Sequence, residues 1–295
     1  MKTNKLLALV ALVNVSVICC AQNLYIANST TGPVNDFITN NNLGRIDFIY
    51  QNDFVTNNNY DEAKLIKTIN QKFTDKNQSG MAILDWEGVG FNSLTSPGNT
   101  GDHYRKQFAE AIQKARLLRP NVKWSYYGLP KREFWHADDA WRQKNLSLMP
   151  FFSNLDFLAP SLYIFYSFTQ ASEKLQQNYI DNNIALARQI GSKLNKPVFA
   201  VVNHRYHPSN KLLGNQQAPV NLFTFYVKRI FNDGADGVVW WNSEDYNYNI
   251  SKLDNPGADN AVFKADFKNI SKEDGIMNMV NRYFSDLKKN IKGLK

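Results

Sequence analysis

The sequence predicts an α/β fold: a single-domain (β/α) TIM-like barrel of seven parallel strands with a C-terminal helical extension. Apolar runs rich in β-branched and aromatic residues recur along the chain, and most are separated by longer polar stretches with helical spacing. Strands that read as continuous apolar runs are typical of parallel sheets covered by helices. Seven such units within 295 residues favour a closed barrel in one domain.

The predicted strands follow one another at regular intervals. They cover residues 24–27, 46–50, 81–86, 122–127, 157–163, 198–202 and 237–241. An open, doubly wound sheet is the structural alternative, but such a sheet normally has a glycine-rich phosphate loop after an early strand. No GxGxxG pattern follows the first predicted strand, so the closed barrel is preferred.

Four helices with one apolar face each are predicted between these strands. Their apolar stripes consist of Ala63, Ile66, Ile69 and Phe73; of Phe108, Ala111, Ile112 and Ala115; of Ile184, Leu186, Ala187 and Ile190; and of Phe223, Val227, Ile230 and Phe231. Pro120 is expected to end the second helix and Asp233-Gly234 the fourth. The asparagine triplets at 40–42 and 57–59 are predicted to be turns.

The first 21 residues have the layout of a secretory signal peptide. Lys2 and Lys5 precede an apolar stretch, and small residues at 19–21 end it. We therefore expect a secreted protein, periplasmic or extracellular. Lipoprotein anchoring at a leader cysteine is less favoured, because the residue before the cut would not be a small one. The apolar stretch is also too short and too interrupted for a membrane span.

The charge and the cysteine content limit the cellular compartments and the classes of binding partner that fit the sequence. Both cysteines lie in the predicted leader, so the mature chain would hold no disulfide and must be stabilised by core burial. The formal charge of +8 falls to +6 without the two leader lysines. A basic exported protein favours polyanions, and acidic polysaccharide is a more natural one outside the cell than nucleic acid. Because the basic residues form no long run, a solvated basic surface accounts for the charge at least as well.

The third predicted strand runs directly into the sequence DWE, which contains two carboxylates separated by one tryptophan. Side chains alternate along a strand, so Asp85 and Glu87 are expected to project on the same side from its C-terminal end. Close carboxylates repel when both are ionised, so one tends to keep its proton near neutral pH, which suits a general acid that cleaves a glycosidic bond. Taken alone, the pattern also fits a solvent-exposed strand end.

Aromatic residues stand at the ends of other predicted strands. They occur in WSYYG at 124–128, PSLY at 160–163, HRYH at 204–207 and VWWNSE at 239–244. The chemistry of (β/α) barrels takes place at C-terminal strand ends, and sugar rings pack their flat C–H faces on aromatic side chains. Core packing is the alternative for each aromatic taken singly. Together, the acids and aromatics predict a carbohydrate-binding cleft.

Four motifs, in this order and at these intervals, resemble one known family. GMAILDWE, WSYYGLP, APSLYIFY and GVVWWNSED are similar to glycoside hydrolase family 56, the hyaluronidases, and the likeness runs from about residue 46 to 245. The resemblance implies a distorted (β/α) barrel and retaining endo-hydrolysis beside an N-acetylhexosamine. It also implies a substrate-assisted reaction, in which the sugar's acetamido oxygen attacks the anomeric carbon and no protein nucleophile is required.

The resemblance further implies roles for single residues. Glu87 would be the catalytic acid, protonating the leaving oxygen and later activating water, and Asp85 would hold and polarise the acetamido group while helping to keep Glu87 protonated. The predicted substrate-binding residues are Tyr163, Tyr206 and Trp241, which match family positions in the sugar subsite, together with Tyr127 and Asn242 at the same strand ends.

The chain departs from the family's pattern before the DxE strand. Family members from animals use disulfides and carry an NGG-PQ segment there, whereas this chain has neither, and NNNYD at 57–61 occupies that region. The substrate contacts of that segment are therefore open. Hyaluronan, chondroitin and a bacterial polysaccharide all stay candidates.

Other functions fit the residues less well. Family 18 chitinase-like enzymes also end a strand in DxE, but Gly80 and Ile83 replace the two upstream aspartates of their DxxDxDxE motif. A secreted glycan-binding protein without turnover has no need for a paired acid and base. Metal-dependent hydrolysis is not supported, because no HExxH-like ligand set surrounds His204 and His207, which are expected at the surface or in a sugar subsite. A serine-nucleophile hydrolase is not indicated either, since the sequence has no GxSxG elbow. We expect no metal and no cofactor.

The remaining sequence predicts a helical extension after a turn at 255–257. Its apolar stripe, with lysines opposite, consists of Ile276, Val280, Phe284, Leu287 and Ile291. Packing across the barrel is expected, and a membrane-surface helix is the alternative. The predicted organisation is a signal peptide at 1–21, a barrel catalytic domain at 22–250 and the extension at 251–295. The expected protein is a monomer that binds a glycosaminoglycan-like polysaccharide and no nucleic acid.

Overall fold

The computed structural model describes residues 22–27, 32–253 and 258–295. The predicted leader and the predicted turn at 255–257 lie outside the described residues. The strands are β1 (Asn23–Ala27), β2 (Gly44–Tyr50), β3 (Val55–Thr56), β4 (Asn59–Tyr60), β5 (Gly80–Asp85), β6 (Val122–Tyr126), β7 (Phe199–Val202) and β8 (Gly237–Trp241).

Helices separate most of these strands. They are α1 (Gly32–Asn40), α2 (Glu62–Lys72), α3 (Gly88–Ser93), α4 (Gly98–Leu118), α5 (Asp139–Leu146), α6 (Met149–Phe152), α7 (Glu173–Leu194), α8 (Val220–Asn232), α9 (Glu244–Ser251), α10 (Ala258–Asp266) and α11 (Lys272–Asn290), with a 3-10 helix at Gln51–Asp53. Within the described ranges, none of the helices combines the length and the apolar character that a membrane span requires.

Six strands form one parallel sheet in the order β6-β5-β2-β1-β8-β7. Strands β3 and β4 form a separate antiparallel hairpin, and the predicted asparagine turn joins them. Asn57 and Asn58 have φ values of 52° and 60°, in the left-handed region that asparagine tolerates better than most residues. Both asparagine triplets are at turns, as predicted.

The fifth predicted strand, at 157–163, is an irregular extended segment that joins the two edges of the sheet. Ala159 bridges to the chain directly after β6, and Leu158 and Ser161 bridge to β7 and the residue before it. Pro160, in the middle of the segment, has no backbone N–H and cannot continue a regular ladder. The predicted barrel of parallel strands is confirmed, with six regular strands and one interrupted segment in place of seven regular ones.

Strands of the barrel bury both faces, which accounts for their continuous apolar sequences. On β5, Ile83 packs in the inner cluster, whereas its neighbours Ala82 and Leu84 pack outward in the layer between sheet and helices. The predicted stripes of α4, α7 and α8 are buried in that layer.

The predicted stripe of α2 was wrong at Ala63 and Ile66 and right at Ile69 and Phe73. Leu65, Ile69 and Phe73 face the core, while Ala63 is exposed and Ile66 is half-buried. The three core residues are spaced by four and form one line along the helix. A stripe through Ala63 would instead have left the larger Leu65 in solvent.

The C-terminal helix α11 packs on helices α8 and α1, on the outside of the barrel. The apolar residues of its stripe are all buried, and α11 contacts α8 and α1. Its apolar face is therefore covered by protein, which leaves a membrane-surface helix without a free apolar side. Leu294 pairs with Gln22 beside the start of β1. Helix α9 runs to Ser251, so the predicted boundary between 250 and 251 lies inside a helix.

Candidate active site

Trp86 determines where the two neighbouring carboxyl groups point. Its side chain is 2% exposed and stacks on Phe108 of α4, with ring centroids 4.3 Å apart and an interplanar angle of 11°. Because Trp86 packs outward, Asp85 and Glu87 on either side of it face the opposite way. Both line a cavity of about 470 Å³. The structure thus brings the two acids together at the C-terminal end of β5.

The backbone of Glu87 is held by neighbours on both sides. Gly88 has φ of +67°, a left-handed conformation that favours glycine and turns the chain from β5 into α3. The backbone N–H of Glu87 donates a hydrogen bond of 3.1 Å to Oε1 of Gln51. Sequence analysis missed Gln51. The signal for it was the register of β2 on β5, which pairs Tyr50 with Asp85 and so places Gln51 at the same rim.

Asp85 has a buried oxygen with no partner. Its Oδ1 is enclosed and accepts no hydrogen bond from any described residue. Burial first, and then the charge of Glu87, raises the pKa of Asp85 well above the ordinary range. Buried polar atoms in native proteins are almost always satisfied. This orphan oxygen, beside an open cavity, is therefore suited to accept a hydrogen bond from a ligand.

The pKa of Glu87 is also raised, and the cause differs from the one predicted. Burial raises this pKa, and the positive charge of Arg132 opposes the increase. The sequence predicted that the charge of Asp85 raises the pKa of Glu87. In the structure the charge of Glu87 raises the pKa of Asp85 instead. Partial enclosure of Glu87, and not the charge of Asp85, therefore favours its protonated form.

Four predicted substrate-binding residues line the same cavity: Tyr127, Tyr163, Tyr206 and Trp241. The rings of Tyr163 and Trp241 are nearly parallel, at 10°, with centroids 5.9 Å apart. The indole N–H of Trp241 donates to the Tyr50 hydroxyl at 3.3 Å, and the Tyr127 hydroxyl is 2.8 Å from Ser161 Oγ. These bonds fix the rings as one aromatic wall beside the acids.

Asn242 is the predicted site residue that lies elsewhere. It is buried behind the cavity wall, and its Oδ1 accepts a hydrogen bond of 3.1 Å from the backbone N–H of Glu244. The backbone N–H of Asn242 donates to the carbonyl oxygen of Ala27 at 3.3 Å. The prediction of Asn242 as a substrate contact is corrected: its side chain bonds the start of α9 and its backbone bonds the end of β1.

Arg132 is a residue that sequence analysis missed. Its guanidinium donates to Ser161 Oγ and, at 3.1 Å, to Nε2 of His207, and it lies 5.8 Å from the centre of the Tyr163 ring. No carboxylate of the described chain forms an ion pair with it. The signal was its place four residues after the WSYYG motif, at the mouth of the barrel. Its charge therefore acts on the cavity.

A buried ion pair forms the wall opposite β5. Arg205 lines the cavity, and its Nε and Nη2 donate to the two carboxylate oxygens of Glu244 at 2.6 and 2.7 Å. Its Nη1 donates to Asp266 at 2.6 Å. Burial alone would raise the pKa of Glu244, but the hydrogen bonds and charge of Arg205 outweigh burial and lower it. This pair joins the loop after β7 to α9 and α10.

His204 belongs to the same buried network. The indole N–H of Trp240 donates to its Nδ1 at 3.0 Å, so the imidazole proton must be on Nε2, which is 3.0 Å from Glu244. Burial lowers the pKa of His204, so the ring is neutral. The expected surface or subsite role is thus wrong for His204. His207 does line the cavity, and burial with the Arg132 charge lowers its pKa to about 4.

No metal site is formed by the part of the chain that the structure describes. No three or more histidine, cysteine, aspartate and glutamate side chains are grouped there in a way that could hold an ion. The groups that line the cavity include the two carboxyls, the aromatic wall, the His207 imidazole and the ion-paired Arg205.

A comparison with known sequences found one relevant relative. A hyaluronidase, Tab y 2.0101 of Tabanus yao, is 25% identical over 217 residues, which are 61% of this chain and 61% of the relative. The matched stretch thus spans about three fifths of that relative's length. No protein-family profile matches the chain.

The fold has solved counterparts. Bee venom hyaluronidase matches with a TM-score of 0.62 and 14% identity, covering 86% of this chain and 99% of that one. A structure of the bee venom enzyme in complex with a hyaluronic acid tetramer matches with a TM-score of 0.59 over 86% of this chain and 98% of the other, also at 14% identity. The resemblance to hyaluronidases that the motifs predicted is confirmed by the sequence relative and by the fold.

Proposed function

We propose that this chain, a relative of the hyaluronidases in sequence and in fold, is an endo-glycosidase that cleaves an N-acetylhexosamine-containing polysaccharide with retention. The observation that carries the proposal is the meeting of Asp85 and Glu87 at one aromatic-walled cavity. Hyaluronan or a chondroitin-like polymer is the favoured substrate, because the sequence relative is a hyaluronidase and a fold relative was solved with a hyaluronic acid tetramer.

In the first step the substrate supplies the nucleophile. The acetamido N–H donates a hydrogen bond to the buried Oδ1 of Asp85, which has no partner among the residues that the structure describes. Asp85 thereby orients the acetamido group and polarises it, so that its carbonyl oxygen attacks the anomeric carbon and closes a five-membered ring. A buried oxygen left without a donor costs about 1–3 kcal/mol, so the site gains from binding this group.

Glu87 moves the proton in both steps. Its raised pKa keeps the carboxyl protonated to higher pH than an exposed glutamate, so that it protonates the departing glycosidic oxygen. The carboxylate that remains then removes a proton from the water that opens the cyclic intermediate. The Arg132 charge, which opposes the rise in pKa, stabilises this ionised form. One residue therefore serves as acid and then as base.

The aromatic wall binds the sugar whose bond is broken. Tyr163 and Trp241 present two nearly parallel rings to the cavity, and the C–H face of a pyranose ring can pack on such a ring. Residues beyond the barrel contribute as well, because Phe263 of α10 lines the cavity and Asp266 holds Arg205. The catalytic unit thus includes the extension at 251–295 as well as the barrel at 22–250. The protein acts as a monomer, outside the cytoplasm.

Digestion of a panel of glycans tests the function. Purified protein is incubated with hyaluronan, chondroitin and chitin oligosaccharides, and new reducing ends are identified by mass spectrometry. We expect new ends with N-acetylhexosamine on at least one glycosaminoglycan. The absence of new ends on every glycan would contradict the proposal and leave a non-catalytic glycan-binding protein.

Replacing Asp85 with asparagine is expected to lower kcat by about 10²–10³-fold with little change in KM, because the acetamido group loses its polarising partner. Steady-state kinetics measure the effect. Asp36→Asn, an exposed aspartate on α1, is the matched control and should behave like wild type. Wild-type turnover in Asp85→Asn would remove Asp85 from the mechanism.

The same replacement should stabilise the fold near neutral pH. The folded-state pKa of Asp85 is raised, so the folded protein binds this proton more tightly than the unfolded chain. The free energy of unfolding therefore falls as pH rises from about 4 towards the folded-state pKa. Asp85→Asn removes this loss, and urea unfolding at several pH values measures it. A wild-type pH slope in the variant would contradict the raised pKa.

A further inference from the structure

An exposed aromatic surface lies at the same end of the barrel as the cavity. We define the Trp135 platform as Phe134, Trp135 and Tyr166. The first two residues lie in the loop after β6, and Tyr166 follows the irregular segment at 157–163, so all three lie beyond C-terminal strand ends. The Trp135 side chain is 50% exposed, although tryptophan is strongly buried on average.

The exposed indole is held in place. The backbone N–H of Trp135 donates to Oε1 of Glu133 at 3.0 Å, and its ring N–H donates to the Tyr166 hydroxyl at 3.3 Å. Its ring packs against Phe134 and Tyr166, with centroid distances of 4.7 and 5.3 Å. Because the only polar atom of the indole is already bonded, the exposed face offers flat apolar surface. A ring fixed in this way loses little entropy when a ligand stacks on it.

One further ring connects the platform to the cavity. Phe165 packs on His207, which lines the cavity, with centroids 4.5 Å apart. On its other side, Phe165 lies 6.2 Å from Tyr166 and 6.0 Å from Phe134. A series of contacting rings therefore leads from His207 at the cavity through Phe165 to the platform.

We propose that the Trp135 platform is a distal subsite that stacks on one pyranose ring of the polysaccharide whose scissile bond lies at Glu87. The inference rests on the proposed function for the identity of the ligand. A polymer cleaved internally must leave the cavity on both sides of the reacting bond, and the platform is contiguous with the cavity wall. Sugar rings bind to such fixed, half-exposed aromatic faces through their C–H surfaces.

The position of the platform determines which kinetic constant it affects. A ring bound far from the reacting bond interacts equally with the ground state and the transition state, so it lowers KM and leaves kcat unchanged. Only substrates long enough to reach Trp135 gain this affinity. The platform thus makes the enzyme selective for long chains.

Replacing Trp135 with alanine tests the subsite. We expect the KM for long polymer to rise about tenfold, with unchanged kcat, and the kinetics of the shortest oligosaccharide that is cleaved to stay as in wild type. Trp135→Tyr keeps an aromatic face and should recover most of the affinity. Leu117→Ala, an exposed apolar residue that is 78% accessible on α4, is the control. An equal change for long and short substrates, or no change for polymer, would overturn the proposal.

Binding measured without turnover separates this proposal from the proposed function. Calorimetry on Glu87→Gln protein, with and without Trp135→Ala, compares long and short oligosaccharides of hyaluronan, chondroitin and chitin. Loss of affinity for long chains alone supports the platform even where the wild-type protein hydrolyses none of them. Hydrolysis by wild type with no length-dependent loss in Trp135→Ala would reject the platform and leave the function intact.

Discussion

Replacing Glu87 with glutamine is expected to lower kcat by about 10²–10⁴-fold, the usual contribution of a positioned acid and base. Glutamine has the same shape and still fits beside Gly88, but it cannot give up a proton to the leaving oxygen. Because Glu87 protrudes into the cavity and carries no ion pair among the described residues, the midpoint of thermal unfolding should change little. Steady-state kinetics and a thermal melt measure both quantities.

A matched control distinguishes the role of Glu87 from a general effect of charge. Glu110 is an exposed glutamate on α4, and Glu110→Gln should keep wild-type turnover. Retention of activity in Glu87→Gln would exclude it as the proton donor. A large drop in the melting midpoint would instead show that the carboxylate serves the fold.

Replacing Arg205 with leucine is expected to lower the free energy of unfolding by about 3–5 kcal/mol. Arg205 and Glu244 are 3% and 1% exposed. Removal of the guanidinium leaves a buried carboxylate whose remaining side-chain partners in the described part of the chain, His204 and Asn247, are neutral. Helices α9 and α10 would also lose their shared connection to the loop after β7. Urea unfolding measures the change.

The control is an ion pair of similar geometry at the surface. Arg229 donates two hydrogen bonds of 2.7 Å to Asp181, but the side chains are 35% and 32% exposed. Solvent screens this pair, so Arg229→Leu should cost only about 0–1 kcal/mol. Equal losses in the two variants would show that burial of the Arg205 pair has no special effect.

The pH dependence of stability gives a second readout for the Arg205 pair. The folded-state pKa of Glu244 is depressed, so its contribution is present above the unfolded value of about 4.3 and is lost as pH falls below it. In Arg205→Leu, the free energy of unfolding should therefore decrease less steeply as pH falls below this value. An equally steep decrease in the variant and the wild type would contradict the depressed pKa of Glu244.

The barrel could be predicted because its strands bury both faces. Residues such as Ala82, Ile83 and Leu84 are apolar in succession, and an apolar run of this length is typical of a strand enclosed between a barrel interior and a layer of helices. Pro160 indicates that the fifth predicted strand is irregular, since proline removes a donor from the ladder. The choice between two apolar stripes on α2 depended on tertiary packing, which periodicity alone does not determine.

The sequence was sufficient to predict that Asp85 and Glu87 face the same side, because side chains alternate along any strand and this rule depends only on neighbouring residues. Arg132 and Gln51 could not be found that way, because they contact the cavity residues His207 and Glu87 from a loop and a 3-10 helix whose positions depend on distant contacts. Asn242, in contrast, was predicted as a substrate contact but does not line the cavity. It stands directly after a strand end, yet the backbone of α9 engages its side chain, so position in sequence alone did not make it a substrate contact.

Binding of a thiazoline, the sulfur analogue of the cyclised acetamido sugar, tests most directly whether Asp85 and Glu87 act on a nucleophile supplied by the substrate. We expect competitive inhibition at least about 10²-fold tighter than binding of the parent sugar, and much weaker inhibition in Asp85→Asn. Wild-type hydrolysis that the thiazoline does not inhibit would contradict this mechanism and indicate direct displacement by a protein group or by water.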